Sequence, residues 1–219
     1  MSRHRLGMAA SAIALVLLVV ALGEIRGSVE DSAQPRILDS KRPITYFVAD
    51  GSGRSGYHSS DQQLARWAIG AWQRSVGKNL QFKAATESSA LVRIYWAASE
   101  EGEFGEMRPL VVGGRRGAAV FIQSDVELLG PDVARDARAD ELLRDSIVYL
   151  TCLHEFGHAL GLEHTADFRD IMYFFGYGGD IVEYFGRYRA QLHSRNDIAT
   201  VSGLSVADVQ HIRALYARR

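Results

Sequence analysis

A single cysteine, Cys152, stands in a chain of 219 residues, so no intramolecular disulfide can form. A chain without such staples must rely on its own core, and the roughly 180 residues beyond the N-terminal segment are enough to build one. No surplus of either charge is present. Lys and Arg number 25 against 26 Asp and Glu, a net charge of −1. That balance lacks the electrostatic footprint of a nucleic-acid binder, and no nucleic-acid partner is expected. No internal repeat, low-complexity tract or large acidic tail occurs. Length and composition favour one globular domain.

The N-terminus departs from this ordinary composition. MSRHRLG is basic, MAASAIALVLLVVAL is an uninterrupted apolar run, and Glu24 and Arg26 end it. Residues 1–23 have the layout of a signal peptide, with Ala21 and Gly23 placed for cleavage. The run is long for a signal and short of the roughly 20 apolar residues of a spanning helix, so an uncleaved membrane anchor is the other reading. No cysteine follows the run, which argues against a lipid anchor. Either way, a secreted or membrane-anchored extracytoplasmic protein is expected. Residues 24–42 read as a linker.

Alternating and β-branched segments predict strands at ITYFVAD (44–50), LQFKAAT (80–86), ALVRIYWA (90–97), RPLVV (108–112) and AAVFIQSD (118–125). A helix is expected after Ser60, with Ser60 and Gln63 as a capping box. Its apolar face takes in Leu64, Trp67, Ile69, Trp72 and Val76. A second helix is expected from about Asp140 to Leu160. Residues 165–203 read as a glycine-rich, aromatic stretch. A last helix is capped by Ser205 and Asp208, with Val206, Val209, Ile212, Leu215 and Tyr216 as its stripe. The order predicts an α+β fold with a mixed sheet packed on helices.

TCLHEFGHALGLEH (151–164) carries the chemistry. His154 and His158 lie four apart and so share one helix face. Glu155 lies about 100° round, able to reach a water on a shared ion without ligating it. Gly161 permits a sharp turn, after which His164 can swing back. Three imidazoles with an open fourth position suit one catalytic Zn2+; a closed structural site would need a fourth ligand. Cys152 faces away from this cluster and reads as a small buried hydrophobe. His58, His193 and His211 are scattered. The acidic group Glu100, Glu101, Glu103 and Glu106 reads as a solvated loop, with a cation site as the other reading.

HEFGHALGLEHT resembles the zinc-binding consensus of the metzincins, and within them the matrixins, the matrix-metalloproteinase-like family. DIMY places Met172 eight residues after His164, where that family has its Met-turn, and LSVADVQHIRALY resembles the family's C-terminal helix. The likeness spans residues 43–219. It implies a metzincin-like zincin fold: a twisted mixed sheet, two long helices, the Met-turn and a small C-terminal subdomain with one helix. It implies a zinc endopeptidase acting on protein or peptide substrates laid along the sheet's edge strand. His154, His158 and His164 would bind the metal, Glu155 would be the general base and Met172 would support the site. Tyr173 would contact substrate or pack. A monomer is expected. The alternative is a non-catalytic, zinc-stabilised binding domain. No calcium loop, second histidine cluster or cysteine switch is recognisable, so calcium is not carried over, and any latency must work by other means. Phe174 stands where the family has proline. The stretch after Met172 is longer than the family's, and its aromatics could line a pocket, form ordinary core or make a membrane-facing loop.

Overall fold

The computed structural model describes residues 37–96 and 104–217. The apolar run, most of the linker and Glu100, Glu101 and Glu103 lie outside the described residues. Among the described residues no helix is long and apolar enough to cross a membrane.

Five strands form one mixed sheet: β1 (Ile44–Val48), β2 (Phe82–Ala84), β3 (Val92–Trp96), β4 (Gly105–Val112) and β5 (Arg115–Ile122). Their spatial order is β2-β1-β3-β5-β4. The first four in that row pair in parallel, and β4 closes one edge antiparallel to β5. The β4–β5 hairpin turns on Gly113 and Gly114, with φ 56° and 74°. Two adjacent positive φ angles make the tight turn whose twist matches the strands it joins.

Among the described residues five α-helices complete the α+β fold: α1 (Asp61–Val76), α2 (Pro131–Ala139), α3 (Glu141–Ala159), α4 (Ile181–Arg189) and α5 (Val206–Tyr216). α1 and α3 pack together on one face of the sheet. Inward residues of the strands, such as Val92, Ile94 and Val120, meet Leu64, Trp72, Leu153 and Phe156 of those helices in one buried core. Trp72 is fully buried, and its Nε1–H donates to Leu153 O at 2.9 Å, so the indole is satisfied as well as packed. Cys152 is buried in the same core, where burial pushes its thiol pKa upward. It behaves as the small hydrophobe expected.

Four local expectations are corrected. Ser60 makes no side-chain cap for α1. Asp61, the first residue of the helix, instead turns its carboxylate back to accept His58 N–H at 2.9 Å and is held by the buried guanidinium of Arg144. In α5 the Ser205–Asp208 capping box is present, but Val206 is exposed and leaves the apolar stripe, while Ile212 and Tyr216 are buried. Finally, the region after Met172 holds a helix of its own, α4, in addition to the C-terminal helix. Asp180 caps it by accepting from Val182 N and Glu183 N, and Tyr184, Phe185 and Tyr188 bury its inner face. α2, which starts on Pro131 at its first turn, is also additional to the expected elements.

Candidate metal centre

α3 is buried along most of its length, and Asp140 caps its start by accepting from Leu142 N and Leu143 N. Its C-terminal turns carry His154, Glu155 and His158. The helix ends in a Schellman arrangement: Leu162 N donates to Gly157 O at 3.0 Å and Gly161 N to His158 O at 2.9 Å. Gly161 has φ 99°, a left-handed value that glycine accepts without steric penalty. That turn returns the chain so that His164 faces the helix.

The three Nε2 atoms then form a tight triangle. His154–His158 and His158–His164 are 3.1 Å apart, and His154–His164 is 3.3 Å. Two of the opposite ring nitrogens meet backbone carbonyls: His154 Nδ1 lies 2.6 Å from Ile171 O, and His158 Nδ1 lies 2.9 Å from Leu162 O. A carbonyl can only accept, so both Nδ1 atoms carry the proton and both Nε2 atoms present bare lone pairs. Lone pairs at this separation repel unless a cation stands among them. The triangle edges agree with the edge of about 3.3 Å of a tetrahedron with metal–nitrogen bonds of about 2.0–2.1 Å. The donor set therefore fits a zinc ion. Burial lowers the pKa of all three imidazoles; for His154 burial, reinforced by the neighbouring His158, takes it to about 3. Neutral imidazole is the form that ligates.

Glu155 is buried, with 7% of its surface exposed, and sits against the start of β4. A Cβ added at Gly105 would stand 2.5 Å from Glu155 Oε1 and 2.6 Å from its Cγ. The missing side chain of Gly105 is thus the space the carboxylate occupies. No signal in the sequence points to Gly105.

Met172 lies directly beneath the helix turn that carries the histidines. It is 1% exposed, and a Cβ added at Gly157 would meet its Sδ at 2.5 Å. The turn is tied to the third histidine, because Thr165 N donates to Met172 O at 2.8 Å and Phe174 N to Thr165 O at 3.2 Å. It is also tied to α5, whose Asp208 accepts Ile171 N–H at 2.8 Å. Tyr173 is 6% exposed and its hydroxyl donates to Gly178 O at 2.8 Å. The phenol is committed to its own loop, and the ring is wall.

Beside the triangle opens a cavity of about 370 Å³. His154, Glu155 and His164 stand at one side; Leu129, Leu150, Ile181 and Phe185 are among its apolar walls. Of the aromatics following Met172, Phe174, Phe175, Tyr184 and Phe185 line this space. Phe174 stacks on His164, with ring centres 4.8 Å apart. Tyr188 does not line it and stacks on Tyr149 instead, and Tyr177 is 66% exposed. His58, His193 and His211 are all exposed and far in sequence from the triangle. A second ligand-like group, His58 with Asp61 and Asp145, is occupied by cations already, since Arg144 and Arg195 bind both carboxylates.

Comparison with known proteins adds a lineage. The family model described as Matrixin, a peptidase family, matches residues 38–217. Among solved structures, one described as "Structure of myroilysin" aligns with a TM-score of 0.42 at 14% identity, over 84% of this chain and 97% of that one. No curated protein matches the chain.

Proposed function

The chain belongs to the matrixin family of metallopeptidases, and from that premise we propose that it is a zinc endopeptidase preferring a large apolar side chain beside the scissile bond. The observation that carries the reading is the Nε2 triangle, with two Nδ1 protons fixed on carbonyls and a buried carboxylate next to it, all opening on one apolar cavity. His154, His158 and His164 would hold the zinc. When bound, the ion supplies Lewis acidity toward the carbonyl and makes water a nucleophile near neutral pH.

The chain's own residues do the rest. Glu155 takes the proton from the attacking water and returns it to the departing amine. Its side chain lies against Gly105 and lines the cavity beside the triangle. β4 is one of the sheet's two edge strands and begins at this point, so an extended peptide can add to it by main-chain hydrogen bonds. The side chain following the scissile bond then enters the cavity, where the apolar walls supply binding at about 25 cal/mol per Å² buried. Met172 supports the triangle from below and ligates nothing. The N-terminal apolar run supports an extracytoplasmic site of action, by secretion or by anchoring.

The test is cleavage of a mixed-peptide library by the purified protein, alongside Glu155→Ala and a zinc-chelated sample. The reading expects cuts before large apolar residues, lost in both controls, with Glu155→Ala still holding one zinc per chain. A folded, zinc-loaded protein that cuts nothing would overturn it and leave a binding domain. Activity retained by Glu155→Ala would remove Glu155 from the role of base.

A further inference from the structure

We propose that Tyr184 is a positioning residue for His154, serving the metal centre with its hydroxyl and the substrate cavity with its ring. The inference rests on the zinc reading above. Tyr184 lies on α4, in the stretch after Met172 that is longer than in the family pattern, and is 4% exposed. Its hydroxyl stands 3.1 Å from Asp170 O and 3.3 Å from Ile171 O. Ile171 O is the same carbonyl that receives the Nδ1 proton of His154, at 2.6 Å.

The residue whose carbonyl orients the ligand is therefore held on both sides of its Cα. α5 grips its N–H through Asp208, and α4 grips its carbonyl side through Tyr184. A fixed acceptor fixes the plane and tautomer of the imidazole, and such outer partners tune metal affinity. Tyr184 has little freedom to leave. Its ring is boxed by Phe168, Phe175 and Phe185 at 4.9–5.5 Å, and the Arg187 guanidinium covers it at 4.7 Å. Burial pushes the phenol pKa upward, so the hydroxyl stays a donor. The ring itself is cavity wall.

The two duties separate by substitution in the full-length protein. Tyr184→Phe keeps the ring and removes the donor. Zinc affinity, measured by chelator competition, should fall about 10-fold, and the visible spectrum of the Co(II)-loaded protein should change. The ratio of kcat/KM for peptides with large against small apolar residues after the scissile bond should stay within about twofold of wild type. Leu129→Ala removes a cavity wall that is not among the rings boxing Tyr184, so it should shift that ratio and leave zinc affinity and the Co(II) spectrum alone. Wild-type affinity and spectrum in Tyr184→Phe would overturn the proposal, as would equal metal loss in Leu129→Ala, which would mark a packing effect. A wild-type protein that binds no zinc would overturn the underlying reading instead.

Discussion

A carboxylate acts as a base only where the chain lets it stand. Glu155 occupies space that any side chain at residue 105 would fill, since a Cβ there would lie within 2.5–2.8 Å of its Oε1, Cγ and Cδ. Gly105→Ala therefore displaces the carboxylate while leaving the metal triangle intact. The backbone at Gly105 is ordinary strand paired with Ile122, so the cost falls on position rather than on folding. We expect kcat to drop roughly 10- to 100-fold, the scale of a misplacement near 1 Å, with zinc content unchanged. Steady-state kinetics with metal analysis checks this. An active Gly105→Ala enzyme would mean that Glu155 works from another rotamer. Gly105 was invisible to sequence reasoning for a plain reason: the glycine matters only because a helix from elsewhere in the chain meets it, and no local pattern records that meeting.

At the scale of elements, α3 and the Met172 turn behave as one unit. Gly157 lies on the underside of α3 between the two helical histidines, and Met172 Sδ and Trp72 Cζ2 would stand 2.5 and 3.2 Å from an added Cβ. Gly157→Ala should gain about 1 kcal/mol of helix propensity and lose about 1–3 kcal/mol to overpacking. Trp72 cannot yield easily because its Nε1–H is bonded to Leu153 O. The net expectation is a lower melting temperature for the metal-free protein, read by calorimetry; a higher one would show that Met172 simply moves aside. A second contact fixes the other end of α3. Arg144 is buried with Asp61 of α1, so Arg144→Ala leaves a buried carboxylate uncompensated and should cost about 3–5 kcal/mol in urea unfolding. These elements also show what the sequence made legible. β3 alternates buried and half-buried residues, α5 buries Ile212 and Tyr216 four apart, and the histidine spacing needs only helix geometry and one turn. α4 has the helical stripe Ile181, Tyr184, Phe185 and Tyr188 behind an Asp180 cap, yet its aromatics favour strands and Gly186 interrupts it. The cavity was ambiguous because aromatic wall and aromatic core have the same composition; only the fold sends Phe175 and Phe185 to the cavity and Tyr188 to Tyr149.

For the whole molecule, the metal centre and the fold share a dependence on pH. Without disulfides, the described residues are held by one hydrophobic core, and the half-buried His154 and His158 stand on the helix whose other residues build that core. In the unfolded chain His154 takes up its proton near its ordinary value of 6.5; in the folded, metal-free protein burial delays this to about 3. Between those values the unfolded state binds more protons, so stability is complete above about pH 6.5 and is lost as pH falls toward the folded value. His158 and His164 are shifted in the same direction and add to the slope. Chelated wild-type protein should therefore unfold at lower urea at about pH 5 than at about pH 7.5, a window in which most carboxylates do not titrate. Removing the principal contributor, as in His154→Leu, should flatten that dependence. Zinc should raise stability at the upper pH and lose its hold only where acid protonates the folded imidazoles, because a protonated ring has no lone pair to offer the metal. Equal slopes for wild type and His154→Leu would place the pH sensitivity elsewhere in the molecule. Unequal slopes would show that the residues that hold the metal also set, by their burial, the acid limit of the fold.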